Sequence, residues 1–401
     1  MRPVLSIDVS KEKSVAGVFL DPNYPLGKPK VFLHTRKELL KLSALLRELE
    51  EAYLVKPQVV MEATGNYSKP LAEFFHSEGF EVFVLNPLTT HQVKKKTIRK
   101  IKTDPVDVAR IAQVFYTSDT VPFMPQSETI ASLRELARQY EGLNNTTTEV
   151  EMRLISLLDS VFPNYGALFS STRNKASLAL LHAWPTPALL SEASVEEIAE
   201  VMKPSMRPLS WRTTKAQKAL DAAGESVGCR SAQTSAAISI RHTVELLIHF
   251  QDILTDIRAQ MNAIAAHSPQ YELLRTVPGI GEVTACVILS EVGDIQRFAT
   301  KKQLIAYAGM DPAVFQSGQF SARNNHISKR GSPYLRKALY QAAFVGIAER
   351  KGMPVNPVIR RFYELKKSQG KLGKVALCAA TNKLLCMVFG IMKSGKPFEV
   401  R

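Results

Sequence analysis

The spacing of apolar residues changes along this chain, and each change predicts a different kind of structure. Up to residue 85, short apolar runs alternate with polar turns. Val4-Leu5-Ser6-Ile7-Asp8-Val9 predicts a buried strand. Ser14 to Leu20 and Lys30 to His34 predict two more strands, the first pair joined by a tight Ser-Lys-Glu-Lys turn. Thr35-x-x-Glu38 is a capping box, and the helix it opens carries Leu39, Leu42, Leu46 and Leu49 on one face. Gln58 to Met61 reads as the next strand and delivers Glu62. A helix from about Tyr67 to Glu78 stops at Gly79, and Glu81 to Leu85 returns as a strand. Hairpin-type strands followed by helix–strand alternation predict an α/β domain with a mixed sheet.

From Ser127 to Val161 the apolar positions step by three and four: Leu133, Leu136, Tyr140, Leu143, Thr147, Val150, Leu154, Leu157 and Val161. This is a heptad seam. Gly142 and Asn144-Asn145-Thr146-Thr147-Thr148 weaken its middle, and Pro163 ends it. A second seam runs through Leu247, Phe250, Leu254, Ile257, Met261 and Ile264. Two such helices can pair antiparallel, join another chain or pack within one all-α domain; the first seam is the expected dimer contact. Residues 165–230 predict short helices, one opened by Ser194-x-x-Glu197. The basic segment from Met202 to Lys218 holds Trp211 and reads as a linker or a nucleic-acid contact. Val277-Pro278-Gly279-Ile280-Gly281 lies between two helical segments. It has the form of a helix–hairpin–helix turn, in which Gly279 and Gly281 let backbone N–H groups approach a phosphate, or of a plain helical connection. Phe315 to Gly331 is a long polar loop in an otherwise helical region, and such loops are usually functional or disordered. Ser332 and Pro333 then cap a helix. Val375 to Met392 is apolar but broken by Asn382 and Lys383, so it reads as a buried helix and not a membrane span. The predicted division is 1–122, an α/β domain; 123–268, a coiled-coil and helical linker region; and 269–401, an α-helical domain.

Composition narrows the function. A chain of 401 residues can hold two or three domains, and a net charge of +15 points to a polyanionic partner, most simply nucleic acid. The alternative is a basic but otherwise ordinary cytosolic protein. Cys229, Cys286, Cys378 and Cys386 form no C-x-x-C pair, so neither a zinc site nor a disulfide framework is expected, and a reducing compartment is. The first strand begins within four residues, leaving no signal-peptide core.

Candidate chemistry centres on carboxylates. Asp8 and Glu62 close predicted strands, and open α/β sheets bind ligands at the carboxyl ends of their strands. Lys102-Thr103-Asp104-Pro105-Val106-Asp107 then starts a helix, with Asp104 as N-cap, Pro105 at the first turn and Asp107 at N3. Each acid alone reads as a cap or loop residue. If that helix covers the same sheet edge, four carboxylates converge and require cations. Two divalent metals about 3.5–4 Å apart could then clamp the attacking and leaving oxygens of a phosphodiester. The run Lys94, Lys95, Lys96, Arg99, Lys100 and Lys102 adjoins this site, where it could hold a phosphate backbone or form a solvated face. The polar loop offers Ser317, Ser321 and Ser328 beside Arg323, Lys329 and Arg330, with Arg336 in the following helix. Those groups suit phosphate binding, and a serine among them could attack phosphorus.

Taken together, these segments resemble the IS-one-ten family of insertion-sequence transposases, related to the Piv and MooV DNA invertases. The match lies in Ser-Ile-Asp8-Val-Ser-Lys, Met-Glu62-Ala-Thr-Gly, Lys-Thr-Asp104-Pro-Val-Asp107, Val-Pro-Gly279-Ile-Gly281, Tyr-Ala-Gly-Met-Asp-Pro, Gln-Ser317-Gly and Ile-Ser-Lys329-Arg330-Gly, and covers nearly the whole chain. The resemblance implies a RuvC-like domain of RNase H fold with a DEDD tetrad (Asp8, Glu62, Asp104, Asp107), then a coiled coil, then a helical transposase domain. It implies Mg²⁺, with Mn²⁺ as a possible substitute, and a covalent phosphoserine with DNA, assigned to Ser317 by the Gln-Ser-Gly match. It further implies donor and target DNA, a structured guide RNA from the element, a homo-oligomer and action in a bacterial or archaeal cytoplasm, with no membrane. A composite active site follows, because the acids and the serine lie about two hundred residues apart in sequence. Two other readings remain: a junction-resolvase-type nuclease using the acids for hydrolysis alone, and a non-catalytic RNA-binding component.

Overall fold

The computed structural model describes residues 2–22, 24–87, 89–90, 104–229, 231, 233–312, 316–317, 320–321 and 326–399. The chain divides into two compact units, Met1–Gln126 and Ser127–Arg401.

The first unit is built on a five-stranded mixed sheet, β1 (Val4–Asp8), β2 (Lys13–Asp21), β3 (Tyr24–Leu33), β4 (Gln58–Glu62) and β5 (Glu81–Leu85), in the order β3-β2-β1-β4-β5. β3, β2 and β1 pair antiparallel, as consecutive hairpins must, whereas β1–β4 and β4–β5 are parallel. Helices α1 (Arg36–Tyr53) and α2 (Ser68–Ser77) cover one face. There Leu39, Leu46, Leu71 and Phe75 pack on the odd-numbered strand residues Leu5, Ile7, Val59 and Met61. Thr35 caps α1 as expected, its hydroxyl accepting from the Glu38 amide. Helix α3 (Asp104–Thr117) covers the other face, packing Val108, Ile111 and Val114 on Val4, Val15, Val60 and Phe83.

The second unit is helical. Its longest helices are α4 (Glu128–Val161) and, after α5 (Lys175–Ala183), α6 (Pro187–Leu190), α7 (Val195–Val201) and α8 (Leu209–Gly224), α9 (Gln233–Ala265). The start of α4 (Leu133, Ala137) shares a core with the end of α9 (Ile257, Met261), and the end of α4 (Leu154, Leu158, Val161) shares another with the start of α9 (Ile240, Val244). The pair is therefore antiparallel, and Leu133, Leu154, Leu247, Ile257 and Met261 of the two heptad seams are buried in these cores. α5 to α8 complete the second of these cores. The first is completed by α10 (Pro269–Arg275), α11 (Glu282–Val292), α12 (Lys301–Tyr307), α13 (Pro333–Ile347), α14 (Pro357–Ser368) and α15 (Gly373–Ser394). By length and composition α15 could cross a membrane, yet its Ala380, Leu384, Leu385 and Val388 lie in that core, as the sequence leads one to expect. All four cysteines are free thiols.

Candidate active site

Why two acids meet at one edge follows from sheet topology. The chain leaves β1 toward β2 on one side and leaves β4 toward β5 on the other, so the adjacent parallel strands β1 and β4 flank a switch point. Ile7 stands opposite Met61, which makes Asp8 and Glu62 the next residues in register at the two carboxyl ends. Side chains alternate along a strand. Ile7 and Met61 point to the α1/α2 face, which sends Asp8 and Glu62 to the α3 face.

Helix α3 runs against β1. The Ser6 hydroxyl donates to the Val108 carbonyl at 2.7 Å, near the start of the helix. At its far end the Tyr116 hydroxyl donates to the Phe19 carbonyl at 3.2 Å. Burial, and then Asp21, push that phenol up to about 12, so it remains a neutral donor. Gly17 permits the close packing: a β-carbon there would stand 3.1 Å from a Val108 methyl. The start of α3 is thus held against the carboxyl-terminal half of β1, and its first turn carries Asp107, which is 8% exposed. The helix starts at Asp104 itself, one residue earlier than expected; the side chain of Asp104 lies outside the described residues.

Two partners of these acids escaped the sequence reading. Thr90 is buried, and its hydroxyl lies 2.6 Å from Glu62 Oε2 and 3.0 Å from the Pro87 carbonyl. Arg110, one turn along α3, donates to Asp107 Oδ1 at 2.7 Å. The (i, i+3) spacing of Asp107 and Arg110 was the available signal; Thr90 gave none. The donor set consists of carboxylate oxygens alone, which fits a hard divalent cation better than zinc. Asp8, Glu62 and Asp107 are the candidates to hold it. Among the described residues, however, no three His, Cys, Asp or Glu side chains stand grouped to hold a metal ion.

In the second unit, the polar stretch between Asp311 and Lys329 is tied at its two ends. Pro312 bridges Ile327, the Ser328 hydroxyl donates to Asp311 Oδ1 at 2.5 Å, and the Lys329 amide donates to the Gly309 carbonyl at 3.0 Å. Inside it, β6 (Gln316–Ser317) pairs antiparallel with β7 (Phe320–Ser321). The stretch expected as a loop therefore holds a short hairpin ladder, and Ser317 sits on its first strand.

The proposed nucleic-acid contacts divide. Lys94, Lys95, Lys96, Arg99, Lys100, Lys102 and Arg323 lie outside the described residues. Lys329 and Arg330 are exposed at the end of the polar stretch. The Arg336 guanidinium donates to the Ala308 carbonyl at 2.8 Å, which ties α13 to the end of α12. Gly279 has φ +100°, and a β-carbon there would meet the Ala342 carbonyl at 2.7 Å, so its bare backbone is needed for packing on α13. Gly281 is the N-cap of α11, with open space around it.

Comparison with known proteins adds a family. Residues 5–163 match the family described as a DEDD-type IS110 transposase, and residues 271–364 match the "Transposase IS116/IS110/IS902 family". The chain is 25% identical, over 80% of its length and 78% of the relative's, to an "Insertion element IS110 uncharacterized 43.6 kDa protein" of Streptomyces coelicolor. It is 22% identical to the "Pilin gene-inverting protein" of Moraxella bovis, over 86% of this chain and 82% of that protein. Among solved structures, T. thermophilus RuvC in complex with Holliday junction substrate aligns with 31% of this chain and 100% of its own, at 14% identity and a TM-score of 0.22.

Proposed function

The chain belongs to the IS110 family of transposases, and we propose that it recombines DNA with the carboxylates of its first unit and a serine of its second. One observation carries the reading. Asp8 and Glu62 end adjacent parallel strands in register, and Asp107 lies in the first turn of the helix that packs on the same face of the sheet. Ligands bind at the carboxyl ends of such strands, and three carboxylates from distant parts of the sequence would meet there around a divalent cation. Capping α3 would account for Asp107 but not for the other two.

With Asp104, these residues would form a DEDD set in a RuvC-like domain, and a bound Mg²⁺ would supply charge neutralisation for a phosphodiester. The chain's own residues orient that set: Thr90 holds one oxygen of Glu62, and Arg110 holds Asp107. We assign the nucleophile to Ser317. Its oxygen would bond to phosphorus, the bond from phosphorus to one strand oxygen would break, and that oxygen would leave as a free hydroxyl bearing a proton. Attack by a hydroxyl of the partner strand would reverse the step and restore a phosphodiester, so no external energy source is needed. A net charge of +15 suits duplex DNA together with an element-encoded guide RNA.

The test is adduct formation with donor and target DNA, RNA transcribed from the element, and Mg²⁺. Wild type should yield a denaturant-resistant protein–DNA ester and exchanged junctions. Ser317→Ala should bind both nucleic acids yet give neither product. An adduct that survives in Ser317→Ala would place the nucleophile elsewhere, with Ser321 and Ser328 next to examine; cleavage with no adduct at all in wild type would favour hydrolysis by a resolvase-type nuclease.

A further inference from the structure

Midway along α4 the heptad seam gives way to Asn144-Asn145-Thr146-Thr147-Thr148, and nothing in the proposed reaction uses that break. Of these five residues Thr147 alone is buried, its hydroxyl donating to the Leu143 carbonyl at 2.7 Å. Asn144 instead borders a cleft of about 240 Å³ enclosed by α4, α11 and α13. A second, more open trough of about 590 Å³ borders it, lined by Asn144, Asn145, Thr148, Glu149, Met152 and Lys337.

The lining chemistry selects a ligand. Both cations at the cleft are already committed to acids. Arg138 donates to Oε1 of the buried Glu291 at 3.1 Å while stacking over the Tyr334 ring at 4.9 Å, and Lys337 pairs with Glu141. An anionic group entering here would have to break those pairs, so the cleft is a poor phosphate site. What remains is an apolar floor of Ala137, Val287 and Ala338 beside the amides of Asn144 and Gln341 and the hydroxyl of Thr284. An apolar surface for a ring face and amides for its edge are the elements by which proteins hold an extruded or unpaired base. The volume lies below the roughly 300–1,000 Å³ of drug-sized pockets, which limits the occupant to about one ring system.

We infer that this cleft receives one unpaired nucleobase of a single strand. The inference rests on the reading of the chain as a protein that acts on nucleic acid, but it concerns binding and not strand exchange.

Saturation-transfer NMR of the full chain with adenosine, 2′-deoxyadenosine, cytidine and uridine tests it, since these probes carry no phosphate. The base protons of at least one nucleoside should be saturated several-fold more strongly than its sugar protons. Asn144→Trp, which fills the cleft from its rim, should abolish the effect, and Gln341→Ala, at an exposed position, should reduce it with an unchanged circular dichroism spectrum. The same variants should weaken binding of ten-residue oligo(A) or oligo(dA) several-fold; the arm that weakens more identifies RNA or DNA as the source of the base. Binding of a blunt duplex should stay constant. No base-proton saturation with any nucleoside, an undiminished signal in both variants, or displacement by inorganic phosphate would each overturn the inference. A chain that exchanges DNA strands but saturates no nucleoside would lose the base cleft and keep its recombinase role; the converse result would do the opposite.

Discussion

Glu62 reaches the sheet edge with one oxygen beside the Thr90 hydroxyl, and that contact separates holding a carboxylate from merely having one. A carboxylate that accepts a hydrogen bond from a buried donor keeps its orientation, and small losses of orientation at a reacting centre are costly. Thr90→Val removes the donor at nearly constant volume. Strand exchange should slow about tenfold, equivalent to roughly 1.4 kcal/mol, with a higher Mg²⁺ requirement, and Thr90→Ser should restore both. If Thr90→Val matches wild type in rate and in Mg²⁺ dependence, Thr90 only fills space. For the acids themselves, Asp8→Asn and Glu62→Gln keep size and hydrogen-bonding capacity but remove charge. Each should abolish exchange. Each also removes one of two neighbouring like charges, so the thermal midpoint of the metal-free protein should stay level or rise. Full exchange by either variant would remove that acid from the reaction.

At the level of elements, part of the seam expected as a dimer contact packs inside the chain, where α4 runs antiparallel to α9. Leu154 is fully buried within that pair. Leu154→Ala should therefore cost about 2–5 kcal/mol of unfolding free energy and leave the sedimentation profile unchanged. A shift in oligomer size without loss of stability would return the seam to an intermolecular role. Sequence could not choose between these partners, because a heptad stripe states that a face must be covered but not by what. It was more informative where the signal is local. The strand ends at Asp8 and Glu62, the cap at Thr35 and the helix start at Asp104 can all be read within a few residues. What it could not show depends on distance. Ser6 bonds to Val108 across 102 positions, Gly17 makes room for the same valine, and Thr90 finds Glu62 28 residues away. No period or motif encodes such pairs. Gly279 of Val-Pro-Gly-Ile-Gly likewise approaches Ala342, a packing role that the motif alone did not announce.

For the whole molecule, charge decides how it meets its substrates. The excess of 52 Lys and Arg over 37 Asp and Glu exceeds what solubility alone requires of an ordered protein. Six of its cations are concentrated between Lys94 and Lys102, immediately before the helix that carries Asp104 and Asp107. If this run tracks a phosphate backbone, counterions leave the DNA when it binds, and affinity must fall steeply as salt rises. Each neutralised phosphate of duplex DNA contributes a slope of about −0.9 in log K against log salt. Replacing Lys94, Lys95, Lys96 and Arg99 together by Ala should therefore flatten the slope by about 3–4 if all four lie on phosphates, and by less if some only steer the approach. The loss should be similar for unrelated duplex sequences, because phosphate contacts position a strand without reading it. Titrations of wild type and the fourfold variant with one duplex at several salt concentrations measure both quantities. An unchanged slope would make the run a solvated face, and the DNA contacts would have to be sought on the second unit, at Lys329 and Arg330 first.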